Sequence, residues 1–287
     1  MPIDAAVALS APPVTTPISW SERDVLLYHL SLGAGRGTDP ELGLTYERDL
    51  AVLPTYAVVA GQGISAGPIP AAGLSLPGID VDLRRVLHSG QDVAVHAPIP
   101  TAGTATLSSR VTEVWDKGSA ALVVRESTAT SPEGEALWTG RMAMWLRGEG
   151  GFGGEPGPVD PVAHPVGAPD RVLVLSTTPD QALLYRLNGD LNPLHVDPEI
   201  AGAMGFARPI LHGLATYGML AHAIVRDLLG GDPARLTSLG ARFAGAVLPG
   251  DRLRVEVWCE PGGTTLRLHT TTADGRVVLS HGTAEVV

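Results

Sequence analysis

SERDVLLYHL at residues 21–30 and TPDQALLYRL at residues 178–187 are two versions of one segment. Each opens on a hydroxyl residue, Ser21 or Thr178, with Asp24 or Gln181 three places later. That pairing lets side chain and backbone cap each other at a helix start. Pro179 adds the fixed φ that suits a first helical position. Both segments continue as Leu-Leu-Tyr-x-Leu, an apolar face at helical spacing. Both stop near a glycine, Gly33 in one and Gly189 in the other. The same helix written twice predicts a chain built of two related halves.

Working outward, the two halves keep matching. GEGGFGGEPGPVDPVAHPVGAPD, residues 148–170, is a Gly/Pro run that sustains neither a helix nor a central strand. It reads as a linker between a first repeat, 1–147, and a second, 171–287. Each repeat ends in a strand-like stretch of equal length, 134–146 and 275–287. Alternating runs precede these at 105–115 and 120–127, then at 253–260 and 264–271. Turns such as Asp116-Lys117-Gly118, Pro261-Gly262-Gly263 and Asp274-Gly275 join them as antiparallel hairpins. Between helix and strands the second repeat carries a long apolar helix, about 213–229. Its expected buried stripe is Leu214, Tyr217, Ala221, Ile224, Val225 and Leu228. The first repeat has a weaker counterpart around Tyr56 to Gly63. Helices on one face of an antiparallel sheet make the class α+β. A sheet wrapped around a helix, built twice in tandem, is the double hotdog pattern.

Bulk properties set limits on partners. The 287 residues carry a net charge of −10 with histidine neutral. An acidic chain lacks the basic surface that nucleic acid needs, so no nucleic-acid partner is expected. Cys259 is the only cysteine, which rules out an internal disulfide and fits a reducing compartment. No secretory signal opens the sequence, no stretch is long enough for a membrane helix, and Ala284-Glu285-Val286-Val287 is no peroxisomal address. A soluble cytoplasmic protein with no membrane partner is the expectation.

Chemistry concentrates in residues 185–195, YRLNGDLNPLH. Gly189 stops one helix, while Asp197 caps the next and Pro198 begins it. Asp190, Asn192 and His195 therefore share a short loop, stiffened by Pro193. Adding water to a double bond conjugated to a thioester needs a base for the water, a proton for C2, and a donor for the thioester oxygen. A carboxylate and an imidazole five residues apart on one loop can reach a single water, and each such proton transfer contributes about 10²–10⁴-fold. Asn192, with both donor and acceptor, orients the water or the loop. Gly213 opens the long helix, where first-turn N–H groups have no internal partner, and it has no side chain to block a carbonyl. The first repeat has Gly33 opposite Asp190 and no D-x-N-P-x-H, which implies one active site per chain and an acyl-binding wall on the other side. A calcium loop is excluded: Leu194 stands at the fifth position from Asp190 and no glycine follows. His212 reads as a residue that holds the turn by hydrogen bonding.

Gly189-Asp190-Leu191-Asn192-Pro193-Leu194-His195 followed by Arg208-Pro209-Ile210-Leu211-His212-Gly213 resembles the hydratase 2 family, the MaoC-like dehydratases of double-hotdog fold. Leu53-Pro54-Thr55-Tyr56, Asp116-Lys117-Gly118, Gly150 to Gly154 and Ala241 to Gly245 extend the resemblance, in order, over nearly the whole chain. The resemblance implies reversible, (R)-specific hydration of trans-2-enoyl-CoA to (3R)-3-hydroxyacyl-CoA, with no metal or redox cofactor. It implies catalytic roles for Asp190 and His195, with Asn192 in support and Gly213 as oxyanion donor. Substrate contacts then fall on His88, Lys117 and Phe243, with Ser89, Leu191, Pro193 and Leu194 beside them. Without the resemblance, Lys117 is a solvated hairpin residue and Phe243 a core strand residue. The sequence departs from the family in Ser89, where a glycine often follows the histidine, and in Asn188, where serine is frequent. Which of Asp190 and His195 is base and which is acid stays open. Dehydration of 3-hydroxyacyl groups on an acyl carrier protein and non-catalytic acyl-CoA binding are the alternative functions. The family also suggests a homodimer.

Overall fold

The sheet displays the duplication in its strand order. A computed structural model of the protein describes residues 3–62, 74–82, 85–158 and 165–287. The first half runs α1 (Ala5–Ser10), β1 (Val14–Trp20), α2 (Glu22–Leu32), α3 (Leu42–Thr45), β2 (Leu74–Leu76), β3 (Ile79–Val81), β4 (Val86–Val95), β5 (Gly103–Asp116), β6 (Ala120–Thr130) and β7 (Ala136–Arg147). The second runs β8 (Arg171–Ser176), α4 (Gln181–Tyr185), α5 (Pro198–Ala203), α6 (Gly213–Leu228), β9 (Leu236–Phe243), β10 (Arg252–Cys259), β11 (Thr265–Thr272) and β12 (Val277–Val286). Ten strands make one antiparallel sheet in the order β1-β5-β6-β7-β4-β9-β12-β11-β10-β8. Read from either edge inward, β8, β10, β11, β12 and β9 repeat β1, β5, β6, β7 and β4. The halves join where β4 pairs with β9, from Gly90↔Arg242 to Ala94↔Ser238. Two hotdog repeats thus share one continuous sheet.

Local chemistry explains the matched helices. Ser21 donates its backbone N–H and its hydroxyl to Asp24 Oδ2 at 2.8 and 2.7 Å, closing the cap of α2. The helix ends at Gly33 with φ 104°, a left-handed conformation that costs a side chain about 1–2 kcal/mol. In the second copy Thr178 N–H donates to Gln181 Oε1 at 3.2 Å, the same capping arm. Here the structure corrects the expected start. The α-helix begins only at Gln181, with Asp180 as its cap, and after Tyr185 it tightens into a 3₁₀ turn, Arg186–Asn188. The two copies meet: Tyr28 and Tyr185 lie 6.2 Å apart ring to ring, both fully buried. Asn188 Nδ2 donates to Ser31 Oγ at 2.9 Å and locks α2 to the end of the second copy.

Two further expectations change. Helix α6 is buried from Ala215 through Val225 on every side rather than along one stripe, and Leu214 and Leu228 are only half-buried. It lies in the trough of the sheet with α2 across it, so no face is left for water. Tyr217 anchors it by donating its hydroxyl to Leu239 O at 2.6 Å. The predicted first-repeat counterpart is a five-residue 3₁₀ turn, Pro54–Val58, and Gly61 follows at φ 75°. Pro54, the β-branched Val58 and Val59, and Gly61 leave no room for a regular helix; Gly63 lies outside the described residues.

The inner face of the sheet, toward the helices, carries two apolar clusters. The larger surrounds α6 and includes Val93, Ala129, Trp138 and Leu239. The smaller joins α1 and the β2–β3 hairpin to Val111, Val123, Met144 and Leu146. Between Arg147 and Arg171 the described residues form neither helix nor strand. That segment is clasped to the β5–β6 hairpin. Asp116 accepts N–H groups from Gly118, Gly151 and Gly153 at 2.9, 2.8 and 2.9 Å, and these bonds, Gly151's first, hold its carboxyl below the usual range. Two glycine motifs that look separate in sequence are the two sides of one clasp.

Candidate active site

Gly189 sets the direction of the loop. Its φ is 118°, and a Cβ there would stand 2.0 Å from the carbonyl oxygen of Gln62, so the first repeat's backbone closes the space a side chain would need. Asp190 follows, and its Oδ1 accepts the N–H of Asn192 at 3.1 Å. Asn192 Oδ1 in turn accepts the N–H of Leu194 at 3.0 Å, capping the 3₁₀ turn Pro193–His195. Both short side chains thus fold the loop on itself. Asp197 starts α5 by accepting the N–H of Glu199 at 2.8 Å. Asn192 holds the loop through its Oδ1.

His195 is buried, and its Nδ1 lies 2.9 Å from the carbonyl oxygen of Ile210. A carbonyl only accepts, so Nδ1 carries the proton and Nε2 keeps its lone pair. Nε2 lies 4.0 Å from Asp190 Oδ2. That is too long for a direct hydrogen bond and right for two groups sharing one water. Burial lowers the His195 pKa, only partly countered by the Asp190 charge, so the ring is neutral near pH 7. His212 stacks on it, 3.7 Å between centroids and 27° between planes. Its Nε2–H donates to the Asp190 carbonyl at 3.2 Å, holding the loop as the sequence reading assigned. Burial also pulls the His212 pKa down, with repulsion from His195 adding to it. Asp190, His195 and His212 offer three ligand atoms within 4.8 Å of one another. One nitrogen of each ring faces a carbonyl, which leaves His195 Nε2 and His212 Nδ1 uncommitted.

Next to His212 in the chain, Gly213 is the exposed first residue of α6, and no described acceptor takes its N–H. The Phe243 ring covers one side of it: a Cβ on Gly213 would meet Cδ1 at 3.2 Å. His88 packs edge-on against Phe243, 4.9 Å between centroids. Its Nε2–H donates to Gly90 O at 3.0 Å, and burial brings its pKa down to about 4, with the Asp190 charge acting against the shift. Asp190, His195, Gly213, His88 and Phe243 thus come from both repeats to one place. The remaining predicted residues are distributed around it. Leu194 is buried, whereas Leu191 and Pro193 are exposed. Ser89 is the extra residue of a bulge in β4, and its hydroxyl donates to Ala143 O at 3.1 Å. Lys117 spends its ammonium on the carbonyls of Pro156 and Pro158. Ser89, Lys117 and Phe243 also line a cavity of about 1150 Å³ that reaches across the sheet's outer face and does not include Asp190 or His195.

Sequence reasoning did not find three contributors. The Ile210 carbonyl, which fixes the His195 tautomer, is a backbone atom with no side-chain signal. Asn188 and Ser31 make their contact between distant segments. Gln62, whose carbonyl abuts Gly189, carries no motif.

Comparison with known proteins fits this geometry. Residues 162–279 match the MaoC like domain, and residues 18–148 match the MFE-2 hydratase 2 N-terminal domain. A Mycobacterium tuberculosis protein named enoyl-CoA hydratase ChsH3 is 46% identical over 98% of both chains. Another from the same organism, 3-hydroxyacyl-thioester dehydratase Y, is 40% identical over 96% of both. The crystal structure of a MaoC-like dehydratase from Phytophthora capsici superposes with a TM-score of 0.85 at 27% identity, covering 99% of this chain and 98% of that one. The chain therefore belongs to the hydratase 2 family of MaoC-like, double-hotdog enoyl-CoA hydratases.

Proposed function

We propose that the protein hydrates trans-2-enoyl-CoA to (3R)-3-hydroxyacyl-CoA, reversibly, at the loop between Gly189 and His195. The observation that carries this reading is the 4.0 Å gap between a neutral imidazole Nε2 and a carboxylate oxygen, beside an exposed first-turn N–H. A water in that gap gives its proton to one partner as its oxygen attacks C3. Charge building on the thioester oxygen is met by the Gly213 N–H, a kind of contact worth about 3–4 kcal/mol. C2 then takes a proton from the pair, which titrates as a unit, so base and acid need no separate assignment. Asn192 and His212 keep Asp190 in place, and His88 and Phe243 border the site from the sheet.

The first repeat supplies the wall for the acyl group, and Lys117, Ser89, Leu191, Pro193 and Leu194 border the rest of the thioester. No helix among the described residues is long and apolar enough to cross a membrane. A cytoplasmic homodimer belongs to the same reading, its dimeric state carried by the family resemblance.

Hydration of crotonyl-CoA, with the configuration of the product determined, is the direct test. Asp190→Asn and His195→Gln are each expected to lower kcat/KM by about 10²-fold or more while the fold persists. Near-normal rates in either variant, or an (S) product from the unmodified enzyme, would overturn the proposal.

A further inference from the structure

The inner face of the first repeat is not apolar throughout. Along β6 the inward residues are Ala121, Val123, Arg125, Ser127 and Ala129, because their partners on β7 are Leu146, Met144, Met142, Gly140 and Trp138. Val123 belongs to the smaller apolar cluster and Ala129 to the larger one. Arg125 and Ser127 fall between them. Ser127 shares a 2.7 Å hydrogen bond with Ser109, its inward partner on β5. On the far side of Met142 stands Gln91, also inward and buried. A polar band thus crosses the trough between two cores.

Arg125 is the unusual member. It is half-buried, and no hydrogen bond or ion pair joins it to a described residue. Its neighbours across the ladder, Val111 and Met142, are apolar. Burial lowers its pKa, and no carboxylate among the described residues offsets that. Removing a guanidinium from water without a partner is unfavourable, so a residue held this way is poised for a partner that arrives.

The site's geometry says what arrives. In the second repeat α6 fills the trough, whereas among the described residues its counterpart in the first repeat is the short Pro54–Val58 turn, which favours a path for the acyl tail from the Gly213–His195 centre under the first repeat. Arg125 lies two strands from β4 and two residues along from Val123, which shares a ladder row with His88 through Met144. At about 4.8 Å between strands and 3.4 Å per residue, that places it roughly 12 Å from His88, within an acyl chain's length.

Resting on the hydratase reading, we propose that Arg125 selects substrates whose acyl tail ends in a carboxylate, pairing with it through the planar fork that fits two oxygens at once. Ser109 and Ser127 supply neighbouring hydroxyls, and the unbranched Gly140 leaves room beside them. The enzyme's substrate class is then ω-carboxylated trans-2-enoyl-CoA rather than plain fatty enoyl-CoA.

The test compares trans-2-enoyl-CoAs of eight to twelve carbons, with and without a terminal carboxylate, in the unmodified protein, Arg125→Met and Arg125→Lys. Crotonyl-CoA serves as the tail-free control. The unmodified protein is expected to favour the carboxylated series. Arg125→Met should raise KM enough to lower kcat/KM for it about tenfold or more, with plain chains and crotonyl-CoA unchanged. Arg125→Lys should recover part of the preference. Equal preference for the two series in unmodified protein, or a parallel loss on both in Arg125→Met, overturns the proposal. Failure of the hydratase reading is separate and shows as no turnover of crotonyl-CoA.

Discussion

His29 in the first repeat and His195 in the second are both buried imidazoles with Nδ1 2.9 Å from a backbone carbonyl, Leu44 for one and Ile210 for the other. The difference lies at the other nitrogen. His29 Nε2 accepts the backbone N–H of Leu53 at 3.2 Å, so both of its nitrogens are engaged within the fold. His195 Nε2 faces Asp190 Oδ2 at 4.0 Å, with space for a water between them. One tautomer, fixed the same way, is structural in one repeat and, on the proposed mechanism, chemical in the other. A buried histidine can exchange a proton only where the fold leaves its second nitrogen uncommitted.

Substituting each histidine separates the roles, and this is where the largest effects are expected. His29→Leu leaves the Leu44 carbonyl and the Leu53 N–H buried without partners. The expected loss is about 2–4 kcal/mol of stability, with activity per folded molecule preserved. His195→Gln should do the reverse: little change in the urea midpoint and a loss of hydration. Comparable stability losses in both variants, or full stability in His29→Leu, would dissolve the contrast.

The glycines that end the matched helices sharpen it. Both have positive φ, 104° at Gly33 and 118° at Gly189. Around Gly33 the nearest atoms to an added Cβ are the flexible Arg36 side chain, from 3.5 Å, whereas at Gly189 it is the Gln62 backbone at 2.0 Å. Gly33→Ala is expected to cost about 1–2 kcal/mol, the conformational term alone. Gly189→Ala should cost about 2–3 kcal/mol and displace Asp190, lowering kcat/KM by tenfold or more. Thermal unfolding and crotonyl-CoA kinetics on the two variants settle the order, and equal effects would mean the Gln62 contact is not a constraint.

The legible parts of this molecule were those written in local pattern. The twin Leu-Leu-Tyr segments, their terminal glycines and the alternating strands all depend on residues close in sequence, and strands β5, β6, β7, β10, β11 and β12 coincide within a few residues with the runs that predicted them, whereas β1 to β4, β8 and β9 had none. The loop from Asp190 to His195 was legible because its acid, its imidazole and its Pro193 are contiguous. What stayed hidden depends on partners from elsewhere in the chain. Burial of α6 on all sides comes from α2 and the sheet, not from its own periodicity. The reduced first-repeat helix reflects Pro54 and Gly61 acting together with the β-branched Val58 and Val59 between them. Lys117 is a further case: its ammonium donates to the carbonyls of Pro156 and Pro158 in the clasped segment, contacts that no local pattern announces.

The smallest effect expected from the histidine comparison is in pH dependence, and its sign follows from burial. His29 falls to about 4 in the folded protein, chiefly by desolvation, against an ordinary value near 6.5. The unfolded chain therefore binds a proton that the folded chain refuses as pH drops below 6.5, and stability must fall on the acid side. Between pH 7.5 and 6 His29 contributes about 1 kcal/mol of that slope, and the rest of its share is lost by pH 4. His195 shifts in the same direction, so activity should hold through neutrality and decline only below pH 6.5, as Nε2 gains a proton and can no longer accept one from water. Urea titrations at pH 7.5 and 6 read the first term, which should be absent from His29→Leu. The pH profile of kcat/KM reads the second, and His29→Leu should leave its acid limb in place. If that limb moved with His29, the two imidazoles would be coupled, and the division between structural and chemical histidine would not hold.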